Sequence, residues 1–245
     1  MSRPHPPLRA LLFDKDDTLI ELAPFWRAPV HKLARWLAGA CHCAGDAALI
    51  AKLEAAAGFE NGRLLPESPV VAGTNADVLA ACLSVAAQSG RALPPHLAAQ
   101  GADYLASACL QYGTVQSREP LLPYFAGWKD RGYRIGVATS DDYAPTLHCL
   151  QKLGLAPYFD AILSADQVAH PKPAPDMALE FCRRCGVAPA QTAMVGDSDN
   201  DMRFAQNSGL TGILYRAPLP KTLPSGAALG VASFAELDRF LDADS

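Results

Sequence analysis

The sequence predicts an α/β protein: a parallel-sheet core into which an all-helical domain is inserted. Three observations carry this. Short apolar runs recur along the chain with helical segments between them, and two of the runs end in clusters of acids. The helical segments after residue 119 close on glycines. The stretch from residue 21 to 118 is instead rich in alanine and leucine and shows no convincing strand.

Residues 8–13 form an apolar run short enough for a buried strand, and similar runs fall at 133–139, 161–164, 192–196 and 211–215. Helices are expected at 121–131, 143–153 and 176–185, followed by Gly132, Gly154 and Gly186. Ser140, Asp141 and Asp142 are N-cap candidates before Tyr143, and Pro145 fits a first turn. Strand, helix and strand at this spacing imply parallel pairing with right-handed crossovers. Within the insertion, helices are expected at 31–39, 47–57, 76–88 and 97–112, separated by loops rich in Gly and Pro at 58–73 and 89–95. The expected organisation is a discontinuous core of residues 1–20 and 119–245, and a helical domain of residues 21–118. No internal repeat or low-complexity tract is evident.

Composition narrows the function classes. With 245 residues the chain suffices for one large domain or two small ones. Half the residues are apolar, and 21 basic against 25 acidic residues give a net charge of −4. No basic run stands out, which argues against nucleic acid as a partner. No apolar stretch reaches bilayer length, and residues 1–10 lack the apolar segment of a secretory leader. A soluble, cytoplasmic protein with no membrane partner is the expectation. Seven cysteines, an odd number, speak against a disulfide framework. Cys41 and Cys43 around His42, and Cys182 with Cys185, are read as free thiols rather than zinc ligands, because suitable partner pairs are missing. No heptad pattern is sustained, so monomer and homodimer both remain open.

Four segments carry chemistry. The first is Phe13-Asp14-Lys15-Asp16-Asp17-Thr18, at the end of a buried strand, where open α/β sheets place their sites. If the extended path persists, Asp14 and Asp16 face one spot and Lys15 points outward. Paired carboxylates suit a nucleophile with a general acid and base; the plainer alternative is a capped turn with solvated acids. The second is Gly196-Asp197-Ser198-Asp199-Asn200-Asp201, again after an apolar strand. Asp197 and Asp201 share a face if a helix starts here. Helix capping accounts for one or two of these acids, Asp199 among them. The remainder are hard oxygen ligands suited to Mg²⁺. The third is Thr139 with Ser140, whose hydroxyls and backbone N–H groups can bind phosphate oxygens or simply cap a helix. The fourth is Lys172 between Pro171 and Pro173, an ammonium on a stiffened backbone.

Together the four segments resemble the motifs of the haloacid dehalogenase superfamily. Asp14, Asp16 and Thr18 match its Asp-x-Asp-x-Thr motif, Thr139 its second, Lys172 its third, and Gly196, Asp197 and Asp201 its Gly-Asp-x-x-x-Asp. The resemblance spans the whole core. It implies a Rossmann-like sheet with a helical cap, as in the phosphoglycolate-phosphatase-like group, and a phosphatase acting on a small phosphorylated metabolite. It also implies that Asp14 is the nucleophile and Asp16 the acid and base. Mg²⁺ would be held by Asp14, the Asp16 carbonyl and Asp197, with Asp201 in support, and Thr139, Ser140 and Lys172 would bind the phosphoryl group. An aspartate at position 16 points away from the dehalogenase and phosphonatase branches. Asp17 departs from the family, which commonly has Gly there; activity is expected to survive. A phosphomutase of the same superfamily and a non-catalytic phosphometabolite-binding module are the alternatives.

Overall fold

The computed structural model describes residues 7–89 and 93–244. Residues 1–6, on which the reading of a missing leader partly rests, and residues 90–92 of the expected 89–95 loop lie outside them. The chain forms two compact units, Met1–Ile20 with Ser117–Ser245, and Glu21–Gln116.

The first strand, β1 (Ala10–Phe13), belongs to the larger unit. In the smaller unit, α1 (Leu22–Ala40) begins at Leu22 rather than near residue 31. Pro24 and Pro29 discourage that reading in sequence. However, Leu22, Phe25, Trp26, Pro29, Val30, Leu33 and Leu37 form one buried stripe at helical spacing. Packing of that stripe outweighs the local cost of Pro29. Helix α2 (Ala47–Ala57) is capped by Asp46, which accepts the Leu49 N–H at 2.9 Å. A hairpin then follows: β2 (Phe59–Glu60) and β3 (Arg63–Leu64) pair antiparallel across Asn61 and Gly62, both at positive φ, +50° and +73°. Asn-Gly is the dipeptide that such tight turns favour, so the insertion is helical apart from this short ribbon. Three helices complete the unit: α3 (Pro69–Ala72), α4 (Asn75–Gln88), with a Thr74/Asp77 capping box, and α5 (Leu97–Tyr112).

The larger unit continues with α6 (Leu122–Asp130), β4 (Arg134–Thr139), α7 (Tyr143–Lys152), β5 (Ala161–Ser164) and α8 (Asp176–Cys185). It closes with β6 (Thr192–Gly196), α9 (Asp199–Ser208), β7 (Thr211–Tyr215), β8 (Ala227–Val231) and α10 (Phe234–Asp244). The six strands form one parallel sheet in the order β5-β4-β1-β6-β7-β8, the Rossmann-like architecture expected. β8 and α10 were not anticipated. β8 reads Ala-Ala-Leu-Gly-Val, a weak strand signal at a partly exposed edge.

Both faces of the sheet are covered, which explains why β1 is apolar at every position. Leu11 and Phe13 join one layer with Phe125, Trp128, Ile135 and Phe234. Ala10 and Leu12 join the other with Phe181, Met194 and Phe204. Phe13 stacks on Trp128 and Phe234 at centroid distances of 5.6 and 6.0 Å. Gly136 admits Phe181, since a Cβ there would overlap its ring. Removing an aromatic ring from such a core costs about 3–5 kcal/mol. No helix among the described residues is long and apolar enough to cross a membrane.

Register sets up the site. Phe13 lies between Val137 of β4 and Val195 of β6. Asp14, Thr139 and Gly196 therefore emerge at the same edge of three adjacent central strands. The order in which strands are added reverses around β1, with β4 and β5 on one side and β6, β7 and β8 on the other, and the carboxyl edge at such a switch point is where open sheets bind ligands.

Candidate active site

The strand ends at Phe13, and the chain turns immediately after Asp14. The Asp14 N–H still donates to Val195 O at 2.9 Å, but the Lys15 carbonyl then accepts the N–H groups of Leu19 and Ile20, at 2.8 and 3.0 Å. Asp17 sits at φ +54°, where glycine is unstrained and aspartate is among the better-tolerated residues. Its carboxylate meets Arg118 at 3.0 Å.

This turn overturns one expectation. Lys15 does not point outward; its side chain is fully buried, between Asp16 Oδ1 at 2.8 Å and Asp141 Oδ2 at 3.0 Å. The alternation assumed for residues 14–16 requires strand geometry, which ends at Phe13.

Asp14 and Lys172 do meet, 158 residues apart in sequence, with Lys172 Nζ 2.6 Å from Asp14 Oδ1. The same ammonium lies 2.7 Å from Asp201 Oδ1. Asp201 Oδ2 accepts from the Ser198 N–H at 3.1 Å and the Ser198 hydroxyl at 2.6 Å, while Ser198 Oγ accepts the Asp201 N–H. This capping box starts α9 and locks the Asp201 rotamer. Ser198 therefore caps the helix, with Asp199 in its first turn. Gly196 is required by the close approach, because a Cβ there would overlap the Asp201 carboxylate.

Asp197 completes the cluster. Carboxylate oxygens of Asp14, Asp197 and Asp201 lie within 4.8 Å of one another. Lys172 contacts Asp14 and Asp201, so with all three acids ionised the cluster exceeds its one contacting ammonium by two charges, and Arg216 acts on Asp197 in partial compensation. Burial, opposed by Lys172 and reinforced by Asp201 and Asp16, raises the Asp14 carboxyl to about 7. Burial, then Asp201 and Asp14, hold Asp197 well above the usual carboxylate range. Lys172 stays charged: burial disfavours the ammonium, but Asp14 and Asp201 outweigh it. Crowded hard oxygens with a charge deficit of two fit a hard divalent cation.

Thr139 is buried at the end of β4, where its Oγ1 accepts the Asp141 N–H at 3.1 Å; Ser140 beside it is half-buried. The carboxyl of Asp16 is raised by burial, against the pull of Lys15. Sequence reasoning missed Asp141, taken as one of three N-cap candidates for α7, whose N-cap is Asp142. An Asp two residues beyond Thr139, with a lysine directly after Asp14, was the available signal. None of the seven cysteines is in a disulfide; five are buried and two half-buried.

A profile of the haloacid dehalogenase-like hydrolase family matches residues 8–209, most of the chain. The chain belongs to that family. Among curated proteins it is similar to the probable phosphatase IndB of Dickeya dadantii, 40% identical over 119 residues, 44% of this chain and 51% of that protein. Fructose-1-phosphate phosphatase YqaB of Escherichia coli is 36% identical over 97 residues, 40% of this chain and 51% of that protein. The chain thus aligns with about half the length of these relatives. Among solved structures, a predicted phosphoglycolate phosphatase from Haemophilus somnus shares the fold, with a TM-score of 0.70, 16% identity and 95% and 97% of the two chains covered. CbbY from Rhodobacter sphaeroides in complex with phosphate does likewise, with a TM-score of 0.67, 22% identity and coverage of 94% and 96%.

Proposed function

We propose that this protein is a magnesium-dependent phosphatase that hydrolyses a small phosphomonoester, of the phosphoglycolate or sugar-phosphate kind, through an aspartyl-phosphate on Asp14. The observation that carries the reading is the charge imbalance at the strand ends: Asp14, Asp197 and Asp201 around a single buried Lys172. The names of the matched relatives, a probable phosphatase and a fructose-1-phosphate phosphatase, support the substrate class.

In this reading the Asp14 carboxylate attacks phosphorus while the ester P–O bond breaks. Asp16 gives its proton to the departing oxygen, and the raised carboxyl suits that task. Asp16 then takes a proton from water as the water attacks phosphorus, freeing Asp14 and inorganic phosphate. Lys172 offsets repulsion between the Asp14 carboxylate and the anionic substrate. Thr139 and Ser140 hold phosphoryl oxygens. Mg²⁺, held by Asp14, the Asp16 carbonyl and Asp197 with Asp201 in support, would supply positive charge to the phosphoryl oxygens. The helical insertion corresponds to the family's cap domain. The protein works as a cytoplasmic enzyme on small phosphorylated metabolites.

The test is phosphate release from a broad panel of phosphomonoesters, with Mg²⁺ and with chelator, for wild type and Asp14→Asn. Metal-dependent release that is lost in the variant is expected. Undiminished release by Asp14→Asn, or none by the wild type, would refute the proposal; isomerisation without net release would indicate a phosphomutase instead.

A further inference from the structure

Lys15 and Asp141 have no place in the four motifs, yet both are buried inside the machinery. Lys15 Nζ donates to Asp16 Oδ1 at 2.8 Å. Its contact with Asp141 Oδ2, 3.0 Å away, is an ion pair that lies off the hydrogen-bond direction. The ammonium thus directs a hydrogen bond at Asp16 and has Asp141 as a counter-ion. Asp141 in turn is immobilised. Its Oδ1 accepts the Asp142 N–H at 2.8 Å, its N–H donates to Thr139 Oγ1 at 3.1 Å, and its carbonyl accepts the Ala165 N–H at 3.1 Å.

Exposure along the row is confined to its Asp16 end. The side chain of Asp141 is 2% exposed, that of Lys15 0% and that of Asp16 22%. The row is a strut with its foot in the core at the end of β4 and its tip, the Asp16 carboxylate, at the open edge. Burying an ammonium and a carboxylate is costly, and a well-packed apolar pair would serve stability equally well. Stability alone does not account for the pair, and the contact it makes at its tip is with Asp16.

We propose that Lys15, braced by Asp141, is a positioning residue for Asp16: it holds Oδ1 and so presents Oδ2 to the leaving-group oxygen and then to water. Lys15 itself neither gives nor takes a proton in either step. The inference rests on the acid–base reading of Asp16 given above.

The test separates positioning from structural support by leaving group. An alkyl phosphate needs a proton on its departing oxygen, whereas p-nitrophenyl phosphate expels a stable anion and does not. The quantity to compare is kcat/KM, which ends at the first irreversible step and so excludes the shared hydrolysis of the aspartyl-phosphate. The variants are Asp16→Asn as reference, Asp141→Asn, and the apolar pair Lys15→Met with Asp141→Leu, chosen to keep the core folded; a thermal melt verifies the fold. Asp16→Asn and the apolar pair are expected to lose about a hundredfold or more on the alkyl phosphate that the wild type turns over fastest, and under about threefold on p-nitrophenyl phosphate. Asp141→Asn is expected to show the same split, reduced in size. Equal losses on both substrates, or no loss on either, in folded apolar-pair protein would overturn the inference while leaving the phosphatase reading intact. Absence of a split in Asp16→Asn would instead remove the acid–base reading, and the inference with it.

Discussion

Lys172 and Lys15 are both buried ammonium groups, and each stands between two aspartates at the same edge of the sheet. Their surroundings differ in charge. Around Lys15, one carboxylate is left over, and that one, Asp16, reaches toward solvent. Around Lys172, the third carboxylate of Asp197 leaves a deficit of two within a few ångströms. Burial works against both ammonium groups and the neighbouring acids prevail in both. Buried lysine–aspartate pairs therefore do not by themselves mark a catalytic metal site. The unpaired excess is what distinguishes the Lys172 cluster, because two extra buried negative charges call for a cation, protons or both.

The comparison can be broken in several ways, taken here from the largest expected effect to the smallest. Asp14→Asn should reduce kcat by at least about a thousandfold, measured by steady-state phosphate release. Lys172→Met should abolish most activity and also destabilise the metal-free protein by about 3 kcal/mol, since it strands the acids it served; denaturant unfolding reads this directly. Asp197→Asn should do the opposite for stability. Relieving the excess charge should raise the melting temperature of metal-free protein by about 2–4 °C while metal affinity falls.

The pH response has a fixed sign. In the metal-free fold the Asp14 carboxyl titrates near 7 instead of 3.8. The folded state therefore holds a proton that the unfolded state has lost between those values. Stability from this group should be full below about pH 4 and should decline as pH rises through 7. Mg²⁺ should offset the decline, and its stabilising effect should grow between pH 5 and 8, as read from paired thermal melts with metal and with chelator. Smaller again, Ser198→Ala should cost about 1 kcal/mol by removing the α9 cap, with some loss of activity as Asp201 loosens. Smallest, Asp17→Gly should change turnover by less than about tenfold, because the exposed Arg118 pair contributes little and glycine fits φ +54°.

Much of the Lys172 cluster was legible in the sequence. Asp14 and Gly196-Asp197 follow apolar runs whose length suits buried strands, and a parallel sheet brings such strand ends together. Thr139 and Lys172 were legible for similar reasons, as a hydroxyl at a strand end and a lysine between prolines. The Lys15 cluster was not. Placing Lys15 requires knowing that β1 stops at Phe13 and that the Lys15 carbonyl turns back to Leu19 and Ile20, both of which are tertiary facts. Asp141 was hidden because an acid before a helix usually caps it. The early start of α1 was masked by Pro29, and β8 by its small residues, since packing decides both. The hairpin at Asn61 and Gly62 carried a usable turn signal, but its strands have only two residues each.

The most direct test of the central reading is to catch phosphate on the protein. Wild-type enzyme mixed with substrate and Mg²⁺ would be quenched in acid within a turnover, digested, and mapped by mass spectrometry. The expected result is an acyl phosphate on the peptide carrying Asp14, sensitive to hydroxylamine and absent with chelator or in Asp14→Asn. Steady turnover with no phosphate on Asp14, or phosphate on another side chain, would contradict it.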